Sequence, residues 1–324
     1  MKEAAETCIA KILKIDFNQL DISYYNREYI QRIIPHIRYY FKIYIQAFSL
    51  LCSFRPEKNL IVDFGGGHGF LSLFLKSLGY RVIYCDANPW SVKTVSAIKE
   101  EIGLGPDYIV TGSVSELKQF CLDNHLKPDY LIATDLIEHI YDLQDFFLQL
   151  KQINPDFEMM FTTGSNPQNF YKCRKLRQYM TIEENYYFDI RRSFIMSKVL
   201  HLTETETTTL AQLTRGKIEP DILKILDSYK KNGQFPPPPD DPFNTCDPET
   251  GNWTERILPL ATYSQFASKA GFQATFARGF YNEERNRKVV SYIFRMINFY
   301  IRKSGKFGFV VAPYILIRLL PKHG

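Results

Sequence analysis

Between residues 60 and 165, five short apolar runs alternate with helix-like segments: Leu60-Ile61-Val62, Val82-Ile83-Tyr84, Tyr108-Ile109-Val110, Tyr130-Leu131-Ile132 and Met159-Met160-Phe161. Each run is bounded by Gly, Asp or Pro. A strand buried on both faces shows such a continuous apolar run, whereas a half-solvated strand alternates apolar with polar residues. Parallel buried strands need crossover connections, and the helix-like segments supply them. The pattern therefore predicts an α/β fold with a doubly wound sheet.

The flanking regions differ in character. Residues 1–58 read as a helical region, with Tyr29-Ile30, Ile33-Ile34, Ile37 and Phe41 at helix spacing and a kink at Pro35. Residues 59–165 form the core. From 166 to 257 the alternation stops. This stretch holds basic and aromatic residues, a Thr- and Glu-rich run at Thr203–Thr209, and the stiff run Pro236–Pro239. It is expected to be a cap, an insertion covering the substrate. Alternation resumes in 258–324 with a helix at 262–270, a strand near Gln273–Phe280, a helix at 286–302 and a strand near Val310–Leu319. The last region should return to the same sheet.

Composition excludes several classes. The cysteines (Cys8, Cys52, Cys85, Cys121, Cys173 and Cys246) form no CxxC pair, which argues against a zinc ribbon or a disulfide framework and for a reducing compartment. Glu3 and Glu6 spoil a signal peptide, and no apolar stretch is long enough to span a bilayer, so the expectation is a cytoplasmic protein. A net charge of +5 is too mild to imply a nucleic-acid partner. That charge is unevenly placed. Beyond Glu283 and Glu284 the tail carries Arg285, Arg287, Lys288, Arg295, Arg302, Lys303, Lys306, Arg318 and Lys322 among apolar residues. A basic apolar helix of this kind is more often a core helix beside the last strand, with peripheral contact with anionic lipid as the alternative. The aromatic share of 15% is high and concentrated in the N-terminal third and mid-chain, which points to aromatic-lined surfaces outside the core as well as helix contacts. Oligomeric state is not legible.

The densest chemical signal is Asp63-Phe64-Gly65-Gly66-Gly67-His68-Gly69, directly after the first strand and before the helix-like Phe70–Leu78. Glycines let the backbone turn tightly and approach a ligand, and the helix N-terminus offers unpaired N–H groups. A dinucleotide fingerprint, G-x-G-x-x-G, fails here. Counted from Gly65 its third glycine falls on Phe70, and counted from Gly67 it falls on Ser72. Asp86 ends the second run, followed by Ala87; a carboxylate there suits ribose hydroxyls, and Asp86 also suits a helix cap ahead of Pro89.

The spacing D-x-G-x-G-x-G with Asp86 resembles the first motifs of class I S-adenosylmethionine-dependent methyltransferases. Ala133-Thr134-Asp135-Leu136-Ile137-Glu138-His139-Ile140 resembles the segment after the fourth strand in the ubiquinone-biosynthesis-type small-molecule methyltransferases. The resemblance covers residues 58–165 well and 258–324 loosely. It implies a Rossmann-like, seven-stranded sheet whose last strand is antiparallel, and S-adenosyl-L-methionine as cofactor. It places Asp63, Gly65, Gly67 and Gly69 around the methionine moiety, Asp86 and Ala87 at the ribose, Asp135 near the cofactor, and Ser113 at the adenine edge. At that last position the family often has an acid, and here Gly112-Ser113 stands instead. The activity implied is methyl transfer to a small-molecule acceptor, with oxygen favoured over nitrogen or carbon. A nicotinamide-dependent oxidoreductase, or a methyltransferase acting on RNA or a lipid-like acceptor, is the alternative.

Asp135, Glu138 and His139 admit three readings. If a helix starts here they share one face. Glu138 and His139 then cap and buttress it with Asp135 near the cofactor, or His139 or Asp135 takes a proton from the acceptor, or the set Asp135, Glu138, His139 holds a divalent cation. No partnering histidine motif supports the metal, and the reading adopted is that none is bound. On the acceptor side Asn166 and Tyr171 follow the fifth strand, where ligand crevices open, although an ordinary Asn-Pro turn explains Asn166 equally. Trp253 either walls a pocket or packs within the cap.

Overall fold

The computed structural model describes residues 1–51, 59–284 and 287–322; Cys52, the 58/59 boundary and Arg285 lie outside the described residues. The strands are β1 (Leu60–Phe64), β2 (Arg81–Asp86), β3 (Tyr108–Thr111), β4 (Tyr130–Thr134), β5 (Glu158–Thr163), β6 (Phe272–Arg278) and β7 (Ile315–Pro321). They form one sheet in the order β3-β2-β1-β4-β5-β7-β6. β1 to β5 are mutually parallel, and β7 runs antiparallel between β5 and β6. The expected seven-stranded, doubly wound sheet with an antiparallel last strand is the one observed.

The continuous apolar runs are explained by burial on both sides. Ile61, Val82, Tyr130, Ile132, Met160 and Leu316 point into one core, and Leu60, Val62, Ile83, Leu131, Met159 and Ile317 into the other. The first core is closed by α1 (Lys2–Ile12), α2 (Tyr24–Ile33), α3 (Ile37–Leu51), α4 (Phe70–Ser77) and α5 (Pro89–Ile102). A single 3-10 turn at Ile34–His36 carries Pro35 and separates α2 from α3, as the kink requires. Helix α3 packs across β4, β5 and β7, so the N-terminal region is built into the core layer. The second core lies under α6 (Val114–Asp123), α7 (Leu143–Ile153) and α11 (Leu260–Lys269).

Residues 166–257 fold into α8 (Phe170–Lys198), α9 (Glu204–Leu213) and α10 (Glu219–Asn232). These helices enclose a small core of their own, including Ile195, Leu210, Ile222 and Leu226. The proline run after α10 has no regular structure. The chain then supplies α11, β6, α12 (Lys288–Lys303), α13 (Gly308–Val311) and β7. Among the described residues no helix is long and apolar enough to cross a membrane.

Candidate active site

The glycine turn sits at the C-terminal end of β1, where the adjoining strands also end. Gly65, Gly67 and Gly69 all have positive φ, at 66°, 52° and 78°. The Gly67 N–H donates to Asp86 Oδ2 (2.8 Å), and the Gly67 carbonyl accepts from the Tyr84 hydroxyl (2.6 Å), so β2 fixes the turn from both sides. The Asn88 N–H donates to Asp86 Oδ1 (2.8 Å). A carboxylate has about four acceptor positions, so Asp86 retains room for two hydroxyls. Burial raises its pKa against the lowering effect of these two N–H groups.

Asp63 lies beneath the turn and lines neither of the two cavities described next. Its Oδ2 accepts from the Ser72 hydroxyl at 2.6 Å, and burial pushes its carboxyl up to about 7. His68 uses Nδ1 to accept the Phe70 N–H (3.2 Å), satisfying a donor at the start of α4, and burial holds its pKa down at about 3.

Two cavities flank the turn. One, of about 350 Å³, is walled by Phe64, Leu136, Ile140 and Phe146, with Asp86, Ala87, Gly112 and Ser113 at its polar side. Ser113 is the N-cap of α6, its hydroxyl bonded to Glu116 in a capping box. The other cavity, of about 270 Å³, is lined by Tyr29, Tyr39, Tyr40 and Tyr44 from α2 and α3, and by Gly65, Gly66, Gly67 and His68 from the turn. Thr134 and Asp135 after β4, Thr162 and Gly164 from β5, Lys172 from α8, and Pro313-Tyr314 before β7 complete it. Gly65 borders both cavities. A Cβ there would stand 2.7 Å from the Leu136 side chain at a positive φ, so glycine suits this position between the two cavities.

No helix starts at Asp135. The residue has φ +50°, its N–H donates to the Thr162 carbonyl (3.0 Å), and only a 3-10 turn follows, at Ile137–His139. The left-handed conformation breaks the helical path, so Asp135 and His139 do not share a helix face; aspartate tolerates this geometry better than most residues. The Asp135 carboxylate instead faces the tyrosine-lined cavity. Its surface is exposed, but to a recess enclosed by protein. Burial, then the nearby Glu255 charge, raises its pKa, while Lys172 and His139 oppose the shift.

His139 lines neither cavity. Its Nδ1 lies 2.7 Å from the Trp253 carbonyl, which makes Nδ1 the protonated nitrogen because a carbonyl only accepts. The Trp253 N–H donates to the His139 carbonyl (3.2 Å). Glu138 is fully buried, with Oε1 accepting the Gly164 N–H (3.3 Å) and Oε2 without a partner; burial and the neighbouring acids hold its pKa well above the usual range. Among the described residues no group of three His, Cys, Asp or Glu is arranged to hold a metal ion.

The acceptor-side candidates fall elsewhere. Asn166 is fully buried, its Nδ2 donating to the carbonyls of Phe309 (2.8 Å) and Ala312 (2.9 Å). Tyr171 is exposed on α8, with the Lys175 ammonium over its ring. Trp253 stacks on Tyr141 (5.7 Å between centroids) beneath the Arg256 guanidinium, bordering a separate cavity of about 580 Å³. Of the segment 166–257, Lys172 is the described residue that reaches the tyrosine-lined cavity. That wall comes from the N-terminal helices instead. Sequence reasoning missed Lys172, Tyr84 and Tyr314; the aromatic density of the N-terminal third was the available signal for Tyr29, Tyr39, Tyr40 and Tyr44.

Comparison with known proteins shows a family profile, described as a methyltransferase domain, matching residues 36–202, more than half of the chain. The chain belongs to the methyltransferase-domain family. This membership agrees with the class I resemblance and with S-adenosylmethionine as the cofactor. The ubiquinone biosynthesis O-methyltransferase of Rickettsia conorii is 29% identical over 116 residues, covering 36% of this chain and 38% of the relative. That of Rickettsia canadensis is 30% identical, over 36% of this chain and 47% of the relative. The chain thus spans less than half the length of these curated relatives. Among solved structures, a SAM-dependent methyltransferase from Archaeoglobus fulgidus aligns over 93% of this chain and all of its own, with 12% identity and a TM-score of 0.44.

Proposed function

We propose that the protein is an S-adenosylmethionine-dependent methyltransferase acting on a small acceptor through oxygen. The observation that carries the reading is the pair of neighbouring cavities that share Gly65 in their walls. The cavity beside Asp86, Ala87 and Ser113 has apolar walls for a flat base and a free carboxylate edge for a ribose. The neighbouring cavity has room for an aromatic acceptor among tyrosine rings. When bound, S-adenosylmethionine supplies a methyl group already activated on a sulfonium. The protein must then align the acceptor and exclude water.

Asp135 serves as the base in this reading. Its carboxyl, pushed up to about 6, faces the acceptor cavity and is matched to accept a hydroxyl proton near neutral pH. Lys172, on the same wall, stabilises the developing oxyanion. His139 orients the Trp253 segment beneath the site and acts as a positioning residue. The curated relatives carry O-methyltransferase names, which favours oxygen over nitrogen.

The test pairs calorimetry with a rate assay over hydroxylated and aminated aromatic acceptors. S-adenosylhomocysteine should bind and NADH should not; the reverse would support an oxidoreductase and end this reading. Asp135→Asn should lower kcat about 10²–10⁴-fold. Because the base works deprotonated, the wild-type rate should rise with pH through about 6, and the variant should lose that limb. An unchanged limb would remove Asp135 as the base.

A further inference from the structure

Helix α12 is held to the protein by one face and leaves a second apolar face uncovered. Its fully buried residues are Asn298 and Ile301. Asn298 accepts the Tyr281 N–H (2.8 Å) and donates to the Tyr281 carbonyl (2.9 Å), while Arg278 Nη1 donates to the Ile301 carbonyl (2.6 Å) near the C-terminal end. Phe294 stacks on Tyr281 from the same inner face. The helix orientation is therefore fixed by polar clips and one ring contact.

On the outer face Val289, Tyr292, Ile293, Met296 and Tyr300 recur at i, i+3, i+4, i+7 and i+11, and all are exposed, Val289 at 72% and Tyr292 at 64%. Phe307, 72% exposed in the following turn, lies beyond the helix end. Lys288, Arg295 and Arg302 stand seven residues apart along one edge of this stripe, and Lys303 and Lys306 close its C-terminal end. An apolar stripe edged by bases, on a helix too short to span, is the form of an interfacial helix.

We propose that α12 docks the protein onto an anionic lipid surface. Charge decides among occupants. From residue 283 onward the acids are Glu283 and Glu284 against nine Lys and Arg, so a second copy presenting this same face would oppose bases to bases. An anionic bilayer offers the complementary charge and takes the apolar stripe among its acyl chains. Further along, after α13, the chain reaches the acceptor cavity: Asn169 at the start of α8 donates to the Val311 and Ala312 carbonyls, and Pro313-Tyr314 then line the wall. The proposal does not depend on the reaction assigned above.

The test is co-sedimentation of the full chain with vesicles of phosphatidylcholine plus phosphatidylglycerol, against phosphatidylcholine alone. Binding should require the anionic lipid and weaken with salt. Arg302→Glu and Lys306→Glu should each lower partition about fivefold or more, and Ile293→Ser with Met296→Ser about tenfold. These side chains are exposed, so circular dichroism should show the variants folded and S-adenosylhomocysteine affinity should be retained. Absence of binding to anionic vesicles at low salt, or equal binding by wild type and variants, would overturn the proposal. So would a solution dimer that the Ile293/Met296 variant dissolves, which would assign the face to a second copy.

Discussion

Gly67→Leu separates the ligand-binding role of the turn from its folding role. Gly67 has φ +52°, and a Cβ built there meets nothing within 4 Å. The cost to folding is then the left-handed backbone alone, about 1–2 kcal/mol for a residue with a side chain. In a chain of this size that lowers Tm by about 1.5–3 °C. The N–H bond to Asp86 Oδ2 survives, because the backbone donor is unchanged. The leucine side chain, however, projects from a residue that lines the 270 Å³ cavity, on the side of the turn where the methionine end of the donor is proposed to lie next to the acceptor. Crowding a filled site costs about 1–3 kcal/mol, so S-adenosylhomocysteine affinity should fall roughly ten- to hundredfold by calorimetry. Gly69→Ala is the contrasting control. Its Cβ would stand 2.3 Å from Val95 Cγ2 at φ +78°, so that change should damage folding itself. A folded Gly67→Leu protein with undiminished S-adenosylhomocysteine affinity would refute the placement of the donor against this turn.

Two further outcomes follow from buried polar groups. The Asp63 carboxyl stands at about 7 in the folded protein against an ordinary value near 3.8. Above about pH 4 the unfolded chain releases this proton while the folded chain keeps it, so the group costs stability as pH rises, until the folded carboxyl ionises near 7. Between about pH 5 and pH 8 the loss is roughly 3 kcal/mol. Urea denaturation of Asp63→Asn should show a flatter pH dependence over that range; parallel curves for the two proteins would contradict the raised carboxyl. Asn166→Ala leaves the Phe309 carbonyl without its side-chain donor and weakens the hold on Ala312, at a cost of about 1–3 kcal/mol. The acceptor KM should rise more than kcat falls, because Pro313-Tyr314 adjoin the loosened turn; a selective loss of kcat would point to direct chemistry at Asn166.

The sheet was readable because burial on both faces writes itself locally, as an unbroken run such as Leu60-Ile61-Val62. The glycine turn was readable for a related reason, since positive φ at three alternate positions leaves little choice of residue. Asp135 shows where this fails. An aspartate after a strand is compatible with a helix cap and with a left-handed break, and the deciding bond to the Thr162 carbonyl comes from another strand. Asn166, Tyr171 and Trp253 were polar or aromatic residues near the expected crevice, but side-chain direction is set by distant partners: Phe309 and Ala312 for Asn166, Tyr141 and Arg256 for Trp253. Lys172 carried no local mark distinguishing it from Lys175, which lies over the Tyr171 ring.

The tyrosine-lined cavity, proposed to take the acceptor, draws on well-separated stretches of chain, and α3 ties it to the core. Phe41 and Phe48 pack their rings edge-on against Phe74 of α4, while Tyr40, Ile43 and Tyr44 line the cavity. Tyr44 belongs to both sets, since it is buried in the core cluster and borders the cavity. Burial first, and then the Asp63 charge, raises its phenol well above the ordinary tyrosine value, so it remains a neutral hydroxyl there. A helix that anchors the sheet on one side and shapes the acceptor wall on the other cannot change its acceptor-facing residues freely. Substitutions at Tyr40 and Ile43, which are half-buried, can alter acceptor shape at small cost to folding, whereas changes at Tyr44 must alter both together. Acceptor selectivity in this reading is written on the α2–α3 layer, outside the core stretch from which the family resemblance was read.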